Sequence, residues 1–68
     1  MTPLEIEMIR GKILELIESN VDGVSLNTII DYLDYVNRVV YSEEELAPII
    51  KKLLEEERIY EENNLFKS

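Results

Sequence analysis

The segment from Ser42 to Leu54 constrains the fold most strongly, because it carries the complete signature of an amphipathic helix. Ser42 and Glu45 form the S-x-x-E pattern of a capping box, in which the hydroxyl and the carboxylate each bind an otherwise unpaired backbone N–H. Glutamates in the first turn suit the positive end of the helix dipole. We predict a helix over 42–57. Its buried stripe consists of apolar residues at helical spacing: Leu46, Ile49, Ile50, Leu53 and Leu54.

The periodicity changes after Glu57 and becomes closer to two. Two short arms, 58–62 and 65–67, flank the pair Asn63-Asn64. Asparagine tolerates the positive φ that two-residue hairpin turns require. We therefore predict a β-hairpin over 58–68. The alternative is a frayed tail, because the second arm has few residues.

The first part of the sequence repeats the capping pattern. Thr2 is placed to cap a helix, Pro3 suits its first position, and Glu5 suits its third. We predict a helix over 2–19 that buries Ile6, Ile9, Ile13, Leu16 and Ile17. A glycine at position 11, in mid-helix, has two interpretations: it permits a close helix crossing, or it has no packing role.

The segment 20–37 predicts a turn, a brief strand and a second helix. Asp22-Gly23 is a strong turn signal. The alternation in Val24-Ser25-Leu26 indicates a strand over 24–26, which must pair with the hairpin because three residues are not stable alone. We expect Asn27 to cap a helix over 27–37.

The connection between the second and third helices is more apolar than a loop requires. In one interpretation the second helix continues and these residues cover the core. In the other they form an exposed apolar patch that serves as a protein interface. The candidate interface residues are Tyr35, Val36, Val39, Val40 and Tyr41.

Length and charge restrict the function. A chain of 68 residues forms one domain, 1–68, with a small core whose stability is often supplemented by a partner. Fifteen acidic against seven basic residues give a net charge of −8, which disfavours nucleic acid because that affinity comes from Lys and Arg. The charge also serves simply to keep molecules apart in solution.

Several classes of protein find no support in the sequence. There is no cysteine, no apolar run of about 20 residues and no signal peptide pattern, so we expect a cytoplasmic location and no membrane partner. Met1 directly precedes a helix cap, so we expect a whole small protein. Histidine is absent too, and neither a phosphate-binding glycine loop nor a calcium loop occurs. We predict no enzyme activity, no catalytic residues, no metal, no cofactor and no small-molecule ligand.

The order helix, short strand, helix, helix, hairpin resembles the winged-helix superfamily, a mainly α fold with a small β-hairpin (α+β). The resemblance rests on Val24-Ser25-Leu26, the opening of the third helix at 42–46, IIKKLLEEERI at 49–59 and IYEENNLFK at 59–67. It implies that the third helix enters the DNA major groove while the hairpin, as the wing, contacts the backbone or the minor groove. The cationic residues available for this are Arg38, Lys51, Lys52, Arg58 and Lys67.

The sequence departs from the DNA-binding version of that superfamily. The helix end that would meet DNA first carries three glutamates, 43–45, and the wing tip adds Glu61 and Glu62. We expect repulsion from phosphate to outweigh the cations at physiological salt. Some winged-helix proteins are protein-interaction modules. We therefore predict a small acidic winged-helix domain that acts as a protein-interaction or regulatory module and self-associates as a homodimer. The alternative is a DNA-binding transcriptional regulator that uses helix 42–57 and wing 58–68.

Overall fold

A computed structural model describes all residues from 1 to 68 as three helices followed by a two-stranded antiparallel hairpin. The chain is thus mainly α with a small β part, as the periodicities predict. In chain order the elements are α1 (Pro3–Glu18), α2 (Leu26–Asn37), α3 (Glu43–Glu55), β1 (Tyr60–Glu62) and β2 (Leu65–Lys67).

The helices begin where side chains satisfy their first backbone N–H groups. In α3 the Glu45 N–H donates to Ser42 Oγ at 3.1 Å and the Ser42 N–H donates to Glu45 Oε1 at 3.0 Å, so the predicted capping box is present. The predicted cap of α2 at Asn27 is wrong. Ser25 caps that helix, accepting from the Thr28 N–H at 3.1 Å. With this cap Leu26 becomes the first helical residue and packs against the core.

The predicted strand 24–26 is reduced to one bridging residue, because Ser25 and Leu26 belong to the start of α2. Val24 pairs with Phe66 in antiparallel fashion. The Val24 N–H donates to the Phe66 carbonyl at 2.9 Å, and the Phe66 N–H donates to the Val24 carbonyl at 2.7 Å. Since β2 also pairs with β1, the order across the sheet is Val24, β2, β1.

The hairpin closes through a two-residue turn. Asn63 has φ 54° and Asn64 has φ 65°, the left-handed values that a primed turn requires. The register pairs Tyr60 with Lys67, Glu61 with Phe66 and Glu62 with Leu65. The hairpin is therefore an ordered element and not a frayed tail.

One core joins the three helices and β2, whereas the residues of β1 are exposed. It contains side chains from each helix, from the hairpin and from the segments around them. Its members are Ile9, Ile13, Ile17, Val24, Ile29, Leu33, Tyr41, Leu46, Ile49, Ile50, Leu53, Ile59 and Phe66. The predicted burial of Ile6 is wrong, because its side chain lies at the edge of the α1 stripe and is 37% exposed, while Leu16 is half-buried against the core.

The two glycines have different surroundings. A Cβ placed on Gly11 would have nothing within 4 Å, so this glycine does not mediate a close helix crossing. Gly23 has φ +94°, and a Cβ there would lie 3.0 Å from both Leu65 Cβ and Lys67 Cγ. Its lack of a side chain lets the turn pass directly beside β2. No helix is long and apolar enough to cross a membrane.

Candidate interaction surfaces

The predicted interface residues between α2 and α3 separate into exposed and buried groups. Tyr35 is 77% exposed, Val40 72% and Val39 43%. These three define the junction patch. Val36 lies in the last turn of α2, is half-buried and packs against the core. Tyr41 is only 4% exposed, so its inclusion in a surface interface is corrected: it is a core residue.

Tyr41 connects the α2–α3 segment to α1. Its hydroxyl donates to Glu5 Oε2 at 3.1 Å. Burial, reinforced by the Glu5 carboxylate, raises the pKa of Tyr41 above its ordinary value of 10.0. The neutral phenol is therefore the form that the folded protein favours.

We expect alkaline pH to destabilise the protein through this phenol. A raised folded-state pKa gives stability that is fully present below pH 10.0 and is lost as pH rises through the folded-state pKa. Denaturant unfolding followed by circular dichroism should show the free energy of unfolding falling above about pH 10. In the Tyr41→Phe variant this fall should be smaller. An equal fall in the variant would contradict the assignment.

Two of the three ion pairs shift the pKa values of their members. Arg10 on α1 pairs with Glu56 just after α3, and Lys67 donates to Glu62 Oε1 at 2.8 Å across the hairpin. The bonds to Arg10 and Lys67 lower the pKa values of Glu56 and Glu62, and Glu62 raises that of Lys67. The carboxylates therefore stabilise the fold above their ordinary pKa of 4.5, and this contribution is lost as pH falls below that value.

A second surface lies between α3 and the hairpin. A groove of about 270 Å³ is lined by five apolar side chains and three charged ones. We name it the α3–hairpin groove. Its apolar residues are Leu26, Ala47, Ile50, Leu54 and Phe66; its charged residues are Glu43, Lys51 and Glu61. None of the three charged side chains takes part in an ion pair.

The five cationic residues proposed for nucleic acid do not share one groove. Lys51 lines the α3–hairpin groove, while Lys52 lines a separate groove between α1 and α3 that also contains Arg10 and Glu56. Lys67 is engaged by Glu62. The remaining two lie elsewhere on the surface: Arg38 ends α2 in a left-handed conformation, and Arg58 is exposed after α3.

Sequence reasoning missed the α3–hairpin groove as a site. Its apolar residues were assigned to the core or to the strand, and only Ala47, a small residue on the outer side of α3, signals a depression there. It also missed exposed Leu4 and Met8 on α1, at 72% and 55% exposure. Their i, i+4 spacing opposite the buried stripe was the available signal.

No group of three or more acidic, histidine or cysteine side chains is arranged to hold a metal ion. Comparison with models of known protein families, with curated proteins and with solved structures finds no match.

Proposed function

We propose that this protein is a small acidic winged-helix domain that acts by binding protein. The observation that carries the proposal is the character of the face formed by α3 and the hairpin. The resemblance assigns this face to DNA, yet it contains an apolar groove in which two unpaired carboxylates accompany a single ammonium. Such a lining suits an apolar protein segment better than a phosphate backbone.

The sheet supports the winged-helix part of the proposal. In the order Val24, β2, β1, the residue before α2 pairs with the second hairpin strand. This pairing holds the hairpin beside the start of α2, and Glu61 and Phe66 line a groove together with α3. A hairpin in contact with the third helix supports its interpretation as a wing. The three-helix order before the hairpin agrees with it.

The ion pairs weaken the case for DNA binding. Lys67, the cation on the wing, is engaged by Glu62, and Arg10 is engaged by Glu56. A cation already paired with a carboxylate releases fewer counterions on contacting phosphate. With a net charge of −8, the domain as a whole repels a polyanion.

A fluorescence anisotropy titration with duplex DNA at low salt tests the proposal. We expect no saturable binding at tens of micromolar protein, because affinity for DNA depends on phosphate neutralisation. Submicromolar binding that weakens steeply as salt is added would overturn the proposal in favour of a DNA-binding regulator. A basic winged-helix domain that binds the same duplex serves as the positive control for the assay.

The junction patch supports self-association as one form of this protein binding. Tyr35, Val39 and Val40 expose apolar area, and removing such area from water contributes roughly 25 cal/mol per Å². A two-fold dimer, in which the patch meets itself, is the commonest arrangement. The negative charge of each copy opposes it, but salt screens exposed charges beyond about 8 Å.

We expect light scattering to show a mass that rises toward a dimer with increasing salt. Val40→Lys should remain monomeric, because it places a charge within the apolar patch. The matched control is Val21→Lys, since Val21 is 91% exposed outside the patch and the change in net charge is the same. A monomeric parent protein at every salt concentration, or equal behaviour of the two variants, would rule out this dimer.

A further inference from the structure

The free edge of the sheet adjoins the α3–hairpin groove. Phe66 directs its own N–H and carbonyl toward Val24, since these groups make the two bonds of that bridge. They consequently point away from β1. Phe66 and its partner Glu61 are thus a pair without mutual hydrogen bonds in the β1–β2 ladder.

The alternation of an antiparallel ladder then fixes the direction of the Glu61 backbone. Pairs with and without hydrogen bonds alternate, so Tyr60–Lys67 and Glu62–Leu65 are the bonded pairs. The N–H and carbonyl of Glu61 point outward, where no further strand follows β1. No turn, loop or cap hydrogen bond of the backbone involves Glu61. One donor and one acceptor are therefore available at this edge.

The same residue lies over the groove. Directly paired residues direct their side chains to the same face of a sheet, so Glu61 shares a face with Phe66, and both line the α3–hairpin groove. A residue of an added strand that pairs with Glu61 would direct its side chain to this face as well. An apolar side chain there would meet the lining formed by Ala47, Ile50 and Leu54.

The charged residues at this edge restrict the sequence of a segment that can pair with β1. If a second copy paired its own β1 around this point by two-fold symmetry, Glu61 would face Glu61. Like charges directly opposite each other destabilise a pair of strands, and charged edges prevent such pairing. Basic residues two positions before and after the apolar one share its face of the strand. They would instead meet Glu61 and Glu43, which have no ion-pair partners in the protein and outnumber the single ammonium of Lys51 in the groove.

We infer that the edge of β1 and the α3–hairpin groove bind an extended segment of a partner protein, in which one apolar residue has Lys or Arg two positions before and after it. The segment adds antiparallel to β1, makes two main-chain hydrogen bonds with Glu61 and places its apolar side chain in the groove. This inference rests on the proposed function and names the chemistry of one partner.

The probe is a capped seven-residue peptide with a central leucine, a threonine on each side and lysines beyond them. Titration into isotopically labelled protein at low salt should shift the amide signals of Glu61 and Ala47. It should also slow hydrogen exchange at the Glu61 N–H, which docking in the groove without strand pairing would not do. A peptide with an N-methylated central leucine, which lacks one donor, should bind at least about tenfold more weakly.

Two pairs of protein variants complete the test. Ala47→Lys should weaken binding at least about tenfold by filling and charging the groove, while Gly11→Lys, with the same net charge and open space around it, should bind like the parent. Glu61→Thr removes the carboxylate but keeps the backbone N–H, so it should weaken binding only through the lost charge. Glu61→Pro also removes the outward N–H but leaves the bonded pairs intact, so it should weaken binding further.

The outcomes separate this inference from the proposed function. Absence of peptide shifts up to about 1 mM, or equal affinity of the parent, Ala47→Lys and Glu61→Pro proteins, would overturn the inference. The DNA titration and the light scattering of the junction-patch variants would then test the proposed function independently. Thermal unfolding of each variant verifies that lost binding does not come from lost folding.

Discussion

Replacing Leu53 with alanine should lower the free energy of unfolding by about 2–5 kcal/mol, the range for buried leucines. Leu53 is fully buried on α3, in the core shared by the three helices and β2. A folded domain gains roughly 0.05–0.15 kcal/mol per residue, so the loss removes a large part of the stability of a chain of 68 residues. Chemical denaturation followed by circular dichroism measures it.

Leu4→Ala is the matched control, since Leu4 is 72% exposed on α1 and undergoes the same chemical change. It should alter the free energy of unfolding by no more than about 0.5 kcal/mol, as expected for an exposed position. If both variants unfold at the same denaturant concentration as the parent, Leu53 does not contribute to the core as the packing indicates.

Gly23→Ala should lower the free energy of unfolding, with an effect second only to that of Leu53→Ala. The backbone there has φ +94°, which L side chains rarely adopt, and the new Cβ would lie 3.0 Å from Leu65 Cβ and Lys67 Cγ. Backbone strain of this kind costs on the order of 1–3 kcal/mol, and relieving the contacts must move the turn away from β2. Amide signals of Val24 and Phe66 should therefore shift together with the loss of stability.

The same methyl group at Gly11 should have the opposite effect. Gly11 lies in α1 with open space around its Cα, so Gly11→Ala should raise the free energy of unfolding by about 0.5–1 kcal/mol through helix propensity. Denaturation of the two variants side by side tests the contrast. A loss of stability in both variants, or in neither, would contradict the difference between the open surroundings of Gly11 and the close contacts of Gly23.

Local signals explain why the helices and hairpin could be predicted. The capping box at Ser42, the cap at Thr2 and the turn at Asn63 depend on residues at most three positions apart. The start of α2 is different, because Ser25 and Asn27 are both good caps. The choice between them depends on where Leu26 packs, and this is a property of the tertiary structure.

The interaction surfaces were harder to predict for the same reason. Val40 and Tyr41 are adjacent and similarly apolar, yet one is exposed and the other buried against α1 with its hydroxyl on Glu5. The ion pair of Arg10 with Glu56 joins residues 46 positions apart. The α3–hairpin groove likewise exists only because β2 is brought beside the start of α2. The periodicity of the sequence carries no information about contacts between residues so far apart in the chain.

The bridge between Val24 and Phe66 also has a consequence for folding kinetics. It joins residues 42 positions apart (66 − 24 = 42), whereas each helix closes through contacts four residues apart. Helices form in about a microsecond or less, but the entropy of closing a long loop delays contacts between distant segments. We therefore expect the Val24–Phe66 bridge to form after the helices and after the locally closed β1–β2 hairpin. A groove with one wall on α3 and the other on this sheet exists only in the fully assembled state.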